Sequence, residues 1–326
     1  MPPAAALLGP LAGLALLLLL LRARRRRAWS PRACPLDLRG KTALVTGASS
    51  GIGRCVALDL ARRNARTILA CRDQERGQAV LEEIHGATGN PNVQLRILDV
   101  SSLASIREFV RCFLQEEGQL DILVNNAGVT GLPFRLTAEG LELTFATNFL
   151  GPFLLTNLLL GALKASTPAR IVNVSSFVHH KGTVNIKFLT GEERPKSSAQ
   201  AYNSSKLMNV VFTAELARRL QGTGVTVNAL NPGVVKTGIM RHFHWAVRLL
   251  FSICGIFMKS AEQGAASTLY CAISKEVEGI SGKYFESDCS LALPSDYAQD
   301  TGIARKLWDA SEQLTGLDNG GSRGTK

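Results

Sequence analysis

A short apolar run, Thr42–Thr46, passes directly into Thr46-Gly47-Ala48-Ser49-Ser50-Gly51-Ile52-Gly53, and an amphipathic stretch, Ile52–Arg63, follows at once. This strand, glycine turn and helix constrain the chain more than any other feature. A strand that feeds a helix through so tight a turn must return to the sheet by a crossover, which favours parallel neighbours. The same alternation continues downstream. Thr67–Cys71, Val93–Leu98, Leu120–Val124, Ile171–Val174 and Val225–Leu230 read as strands. Glu75–His85, Leu103–Gln115, Leu141–Leu163 and Tyr202–Leu220 read as helices. The expectation is one α/β domain over residues 41–316, a doubly wound parallel sheet with helices on both faces. A polar, glycine-rich tail at 317–326 follows it.

Before that domain the chain has a different character. Ala4 to Leu21 is an uncharged apolar run of 18 residues, long enough as a helix to reach about 27 Å, close to the hydrocarbon thickness of a thin bilayer. No acidic residue precedes Asp37, whereas Arg22, Arg24, Arg25, Arg26, Arg27 and Arg32 carry six units of the formal net charge of +11. Residues 1–21 therefore read as a retained membrane anchor and 22–40 as a basic linker. The arginines stay on the cytoplasmic side, which leaves the domain in the cytosol. Endoplasmic reticulum is the expected membrane; the arginine-rich, acid-free start also fits mitochondrial import. The sequons at Asn173 and Asn203 fall in the proposed site, and a cytosolic domain removes that conflict. The remaining basic residues are scattered without interleaved aromatics, so nucleic-acid binding is not expected. The seven cysteines form no C-x-x-C pair, which speaks against a disulfide framework or a metal site.

Two motifs carry chemistry. The glycines of Gly47–Gly53 let the backbone approach a pyrophosphate, and the helix that follows offers free N–H groups and its positive dipole end. Tyr202-x-x-x-Lys206 places a phenol and an ammonium on one helix face. A cation beside a phenol favours the phenolate, and a tyrosine tuned that way can exchange a proton with an alcohol or carbonyl oxygen.

With Asp99, Asn125-Asn126-Ala127-Gly128, Asn148, Ser175-Ser176 and Asn231-Pro232-Gly233 in the same order along the chain, the sequence resembles the short-chain dehydrogenase/reductase family over about Lys41 to Phe285. The resemblance implies a Rossmann-type fold, a nicotinamide cofactor and hydride transfer to or from a carbonyl or alcohol carbon. It implies that Tyr202 is the general acid/base and that Lys206 lowers its pKa and holds the nicotinamide ribose. Ser176, rather than Ser175, would bind the substrate oxygen, and Asn148 would support a water in the proton relay. Gly47, Ala48, Ser49, Ser50, Gly51, Ile52 and Gly53 would surround the pyrophosphate. Asp99 would meet the adenine amine, and Asn126, Ala127 and Gly128 would line the adenosine. Pro232, Gly233 and Thr237 would hold the nicotinamide.

At the end of the second strand stands Ala70-Cys71-Arg72-Asp73. Arg72 there favours the phosphate of NADP(H), with Ser49 and Arg54 as helpers. The alternative is a solvated Arg72, with Asp73 turned to the ribose of NAD(H). The anchor with its arginines, Cys71-Arg72-Asp73 and Ser175-Ser176-Phe177-Val178-His179-His180 resemble the retinol dehydrogenase subgroup. That implies a retinoid or another lipophilic aldehyde/alcohol pair, with a steroid or lipid-derived carbonyl as the alternative, and a homodimer. Residues 242–260 are apolar and read as a substrate cover or an interfacial helix. His179 and His180 read as loop wall or substrate contacts.

Overall fold

The computed structural model describes residues 29–238 and 258–317. The proposed anchor, most of the cover at 242–260 and the tail beyond 317 lie outside those residues. In chain order the main elements are β1 Thr42–Thr46, α1 Gly51–Arg62, β2 Arg66–Cys71, α2 Gln74–Thr88, β3 Val93–Ile97, α3 Leu103–Glu116 and β4 Ile122–Asn125. Then come α4 Leu143–Ala165, β5 Ala169–Val174, α5 Ser198–Arg219, β6 Val225–Leu230, α6 Ala261–Ile273, β7 Tyr284–Phe285, β8 Leu291–Ala292 and α7 Thr301–Thr315. The sheet order is β3-β2-β1-β4-β5-β6-β7-β8, parallel up to β7 and antiparallel at β8. The order reverses at β1, which pairs with both β2 and β4. A crevice opens outside the carboxyl ends of the strands at such a switch point.

The central strands are mostly apolar because both faces are covered. Leu44, Ile68, Leu123 and Ile171 face one layer with α3, α4 and α5. Val45, Leu69, Val124 and Val172 face the other with α1 and α6. One described helix, α4, is long and apolar enough to cross a membrane, but 78% of its apolar window is buried in the domain. Its hydrophobicity is that of a core helix packed on the sheet. α7 closes the α4–α5 face with Trp308, whose ring lies 5.0 Å from Phe153 and 5.8 Å from Phe212 under the Arg219 guanidinium.

Between β4 and β5 a buried amide chain replaces apolar packing. Asn125 donates to Thr156 and to Asn173, and Asn173 donates to Thr213. Asn173 is 1% exposed, so a glycan there is incompatible with the fold.

The amino edge of the sheet is fastened by charge. Lys41 meets Asp121 at 2.8 Å, and Arg66 meets Glu117 at 2.6 Å. Arg63, at the end of α1, donates to the carbonyls of Pro31, Cys34 and Leu36. With Trp29 edge-on to Tyr270 of α6 at 5.5 Å, this guanidinium clamps the strap of residues 29–38 beneath the sheet.

Candidate active site

The carboxyl ends of β1, β2, β4 and β5 enclose a cleft of about 630 Å³. Its floor is built by Thr46. The Thr46 hydroxyl accepts the N–H groups of Asn126 and Ala127 at 3.0 Å, and its carbonyl accepts the Asn126 amide at 2.9 Å. That lock brings the glycine turn against the β4 loop. Gly47 sits at φ +67°, and a Cβ there would come within 2.9 Å of Ala127 Cα. Gly53 has no room either: a Cβ would lie 2.5 Å from both the Asn126 amide and the Gly47 carbonyl. Ser50 precedes α1 without a side-chain cap bond, whereas Asp73 caps α2 and Ser102 caps α3. The first N–H groups of α1 are thus left without a side-chain cap at the cleft, which suits an anionic group. These features fit the pyrophosphate of a dinucleotide.

Gly47, Ser49, Ser50, Gly51, Ile52, Arg72, Asp99, Asn126, Ala127, Gly128, Tyr202, Lys206, Pro232 and Thr237 all line the cleft, as the motifs imply. Five expected residues do not form its wall. Ala48 is fully buried under the turn. Gly53 serves helix-to-strand approach. Gly233 sits at φ +87° against Lys259 and Ser287. Asn148 is buried behind the surface, and Ser176 is partly exposed beyond the wall. Arg54 is turned away as well, held by Glu83 on α2 through its Nε at 2.7 Å. In its place Arg76, unremarked in the sequence, joins the wall with Asp73. The only hint was a base in the first turn after β2. Asp73 accepts the Arg76 N–H at 3.0 Å as the cap of α2. Asp99 accepts from both the N–H and the hydroxyl of Ser101, and faces Arg72 at 3.7 Å. It is therefore a turn-former, and Ser102 is the helix cap.

The reactive end gathers β5, α4 and α5. Ser175 donates its hydroxyl to the Lys206 carbonyl at 2.8 Å and is 2% exposed, which makes it structural. The Ser176 hydroxyl instead faces the Tyr202 phenol and favours its ionisation. Tyr202 and Lys206 are one turn apart on α5, with the ammonium 5.8 Å from the ring centroid. Lys206 donates to the Val174 carbonyl at 2.8 Å, and burial pushes its pKa down to about 8. Burial pushes Tyr202 up to about 12, opposed by the Ser176 hydroxyl. The lowered phenol expected from the lysine is thus not found. The ammonium is engaged by the Val174 carbonyl, and desolvation of the phenolate wins.

Asn148 lies in a π-helical turn, Ala146–Leu150, inside α4. The wider turn sets its side chain across the β4 loop. It donates to the Val129 carbonyl and to Ser205, and accepts the Val129 N–H at 2.8 Å. The Asn209 amide takes its carbonyl at 2.8 Å. Asn148 thereby ties the cleft wall to the helix that carries Tyr202. His179 is fully buried and His180 exposed, so the first is wall and not a free substrate contact.

The short chain dehydrogenase family model matches residues 41–245. Human retinol dehydrogenase 11 is 47% identical over 282 residues, covering 86% of this chain and 88% of that protein. Human retinol dehydrogenase 13 is 46% identical, with 88% of each chain covered. Among solved structures, an uncharacterized protein from Mycobacterium paratuberculosis superposes with a TM-score of 0.71 at 34% identity, over 89% of this chain and 98% of that one. The family works with a nicotinamide cofactor, and the cleft has the cradle such a group needs. This chain belongs to the short chain dehydrogenase family, within its retinol dehydrogenase subgroup.

Proposed function

We propose that the protein is an NADP(H)-dependent reductase of retinal or a related lipophilic aldehyde, reversible as a retinol dehydrogenase. It is held at the endoplasmic reticulum membrane by residues 1–21, with the catalytic domain in the cytosol. The observation that carries this reading is one cleft that brings Tyr202 and buried Lys206, one helical turn apart, to a wall opposite Arg72 and Arg76.

Two guanidinium groups on that wall suit a phosphate. Asp73, the carboxylate that would favour a 2′-hydroxyl, is engaged as a helix cap. Gly47, Ser50, Gly51 and the start of α1 would hold the pyrophosphate, and Lys206 the nicotinamide ribose. When bound, the cofactor supplies a hydride to the carbonyl carbon. Ser176 donates its hydroxyl to the substrate oxygen and orients it. Tyr202, held protonated by burial, gives its proton to that oxygen, the role a general acid needs in the reductive direction. Lys206 is the cation beside the phenolate that results. Holding both reactants in one cleft supplies much of the rate advantage. The mouth is apolar: Phe177 follows Ser176, Val234 follows Pro232-Gly233, and both are 45% exposed. A cytosolic NADP(H) pool is largely reduced, so reduction is the net direction.

Membranes bearing the full chain should reduce all-trans-retinal with NADPH far faster than with NADH. Steroid ketones and lipid-derived aldehydes assayed in parallel identify the substrate within the same chemistry. NADPH binding without turnover of any carbonyl would sink the enzymatic reading in favour of a silent cofactor-binding protein.

A further inference from the structure

The structure assigns His179 a positioning role: as a neutral imidazole protonated on Nδ1, it holds the Ser176 peptide so that the serine hydroxyl meets Tyr202, and it ties that geometry to the segment after β8. The inference rests on Ser176 being the substrate-orienting group.

The Ser176 carbonyl accepts two N–H groups from this one residue, the His179 backbone at 3.1 Å and its Nδ1 at 2.9 Å. On the other side of the ring, Nε2 faces the Ser295 N–H at 3.3 Å. A carbonyl can only accept and a backbone N–H can only donate. The tautomer is therefore fixed by its partners, with the proton on Nδ1 and the lone pair on Nε2. The ring is fully buried, 3.9 Å from the His180 ring and 4.6 Å from that of Tyr284. No rotamer change keeps both bonds, so the imidazole is a rigid spacer between β8's exit and the catalytic turn.

Protonation would give Nε2 a hydrogen aimed at the Ser295 N–H and break that bond. Burial already holds the His179 pKa below the usual histidine value. The titratable groups facing it are His180 on its own turn, which opposes its charging further, and Tyr284 and Glu286 at β7, the carboxylate favouring charge. The spacer is consequently intact at neutral pH and fails only on the acid side.

The test compares His179→Phe, His179→Asn and Ser176→Ala in the full chain, reading kcat and KM for retinal, NADPH affinity by fluorescence, and the pH profile. His179→Phe should lower kcat about ten- to hundredfold, the cost of a displaced reacting group, with NADPH affinity unchanged. His179→Asn, whose amide can reach the Ser176 carbonyl, should recover most of the rate. It should also lack the wild-type loss of kcat below the ordinary histidine pKa. Wild-type kcat in His179→Phe, or an acid limb that persists in His179→Asn, overturns the positioning role. If His179→Phe loses NADPH affinity along with kcat, the residue is merely structural and the proposal falls. Full activity in Ser176→Ala would instead remove the functional reading on which it stands.

Discussion

The two edges of the sheet are built on opposite principles. At the amino edge the connections are short, and cations meet carboxylates: Lys41 with Asp121, Arg66 and Arg96 with Glu117, Arg63 with Asp59. At the carboxyl edge the loops after β4, β5 and β6 are long. Lys206 donates to a carbonyl, Arg72 faces Asp99 at 3.7 Å, and Phe134, Leu136, Phe177 and Val234 stay exposed. One end satisfies its charges internally and holds the strand starts in register. The other leaves charge and apolar surface available for something that is not protein. Stability and function are thereby separated along the strand axis, so substitutions at the two edges should fail in different ways.

The largest effect is expected from Tyr202→Phe, which removes the proposed acid without touching the amino edge. Retinal reduction should fall roughly 10²–10⁴-fold, with the thermal midpoint and NADPH affinity kept; a wild-type rate would break the comparison at its functional end. Arg72→Ala should raise the KM for NADPH roughly ten- to hundredfold, the worth of a charge-assisted contact, and leave the KM for NADH nearly unchanged.

The amino edge should respond in the opposite sense. Glu117→Gln leaves Arg66 and Arg96 unbalanced and should cost about 2 kcal/mol in urea unfolding, toward the low side for a broken buried pair because Arg66 is partly exposed. Its kcat should not move. The hydrogen bond from Arg66 lowers the Glu117 pKa. Its stabilisation is therefore complete above the ordinary glutamate value and disappears as pH falls through the lowered one. A urea midpoint for Glu117→Gln that stays parallel to wild type across that acidic range would contradict this. The smallest effect belongs to Arg54→Ala, an exposed pair with Glu83 worth under about 1 kcal/mol. It should leave the NADPH KM in place, whereas a large rise would return Arg54 to the cofactor wall.

These differences also explain what could be read from the chain alone. β1 and β6 were legible to the residue because each is an apolar run closed by a turn. Tyr202 and Lys206 were legible because they sit in the family's ordered set of motifs; their spacing alone says only that they share a helix face. β7 and β8 have two residues each and no pattern to read. The exchange of Arg54 for Arg76 depends on where Glu83 falls on α2, a tertiary fact. That Asp73 caps its helix through the Arg76 N–H while lining the cleft is a tertiary fact that Asp73-x-x-Arg76 does not reveal. The raised Tyr202 follows from burial, which Tyr-x-x-x-Lys spacing does not encode. His179 stood three residues from Ser176, but only the Ser295 N–H across the fold gives its ring a direction.

The strap gripped by Arg63 gives the domain a handedness of attachment. Since residues 29–38 are clamped under the strand starts, the described chain enters the fold at the pole opposite the cleft. Exchanging residues 1–28 for an unrelated leader should therefore leave turnover of a water-soluble aldehyde unaltered.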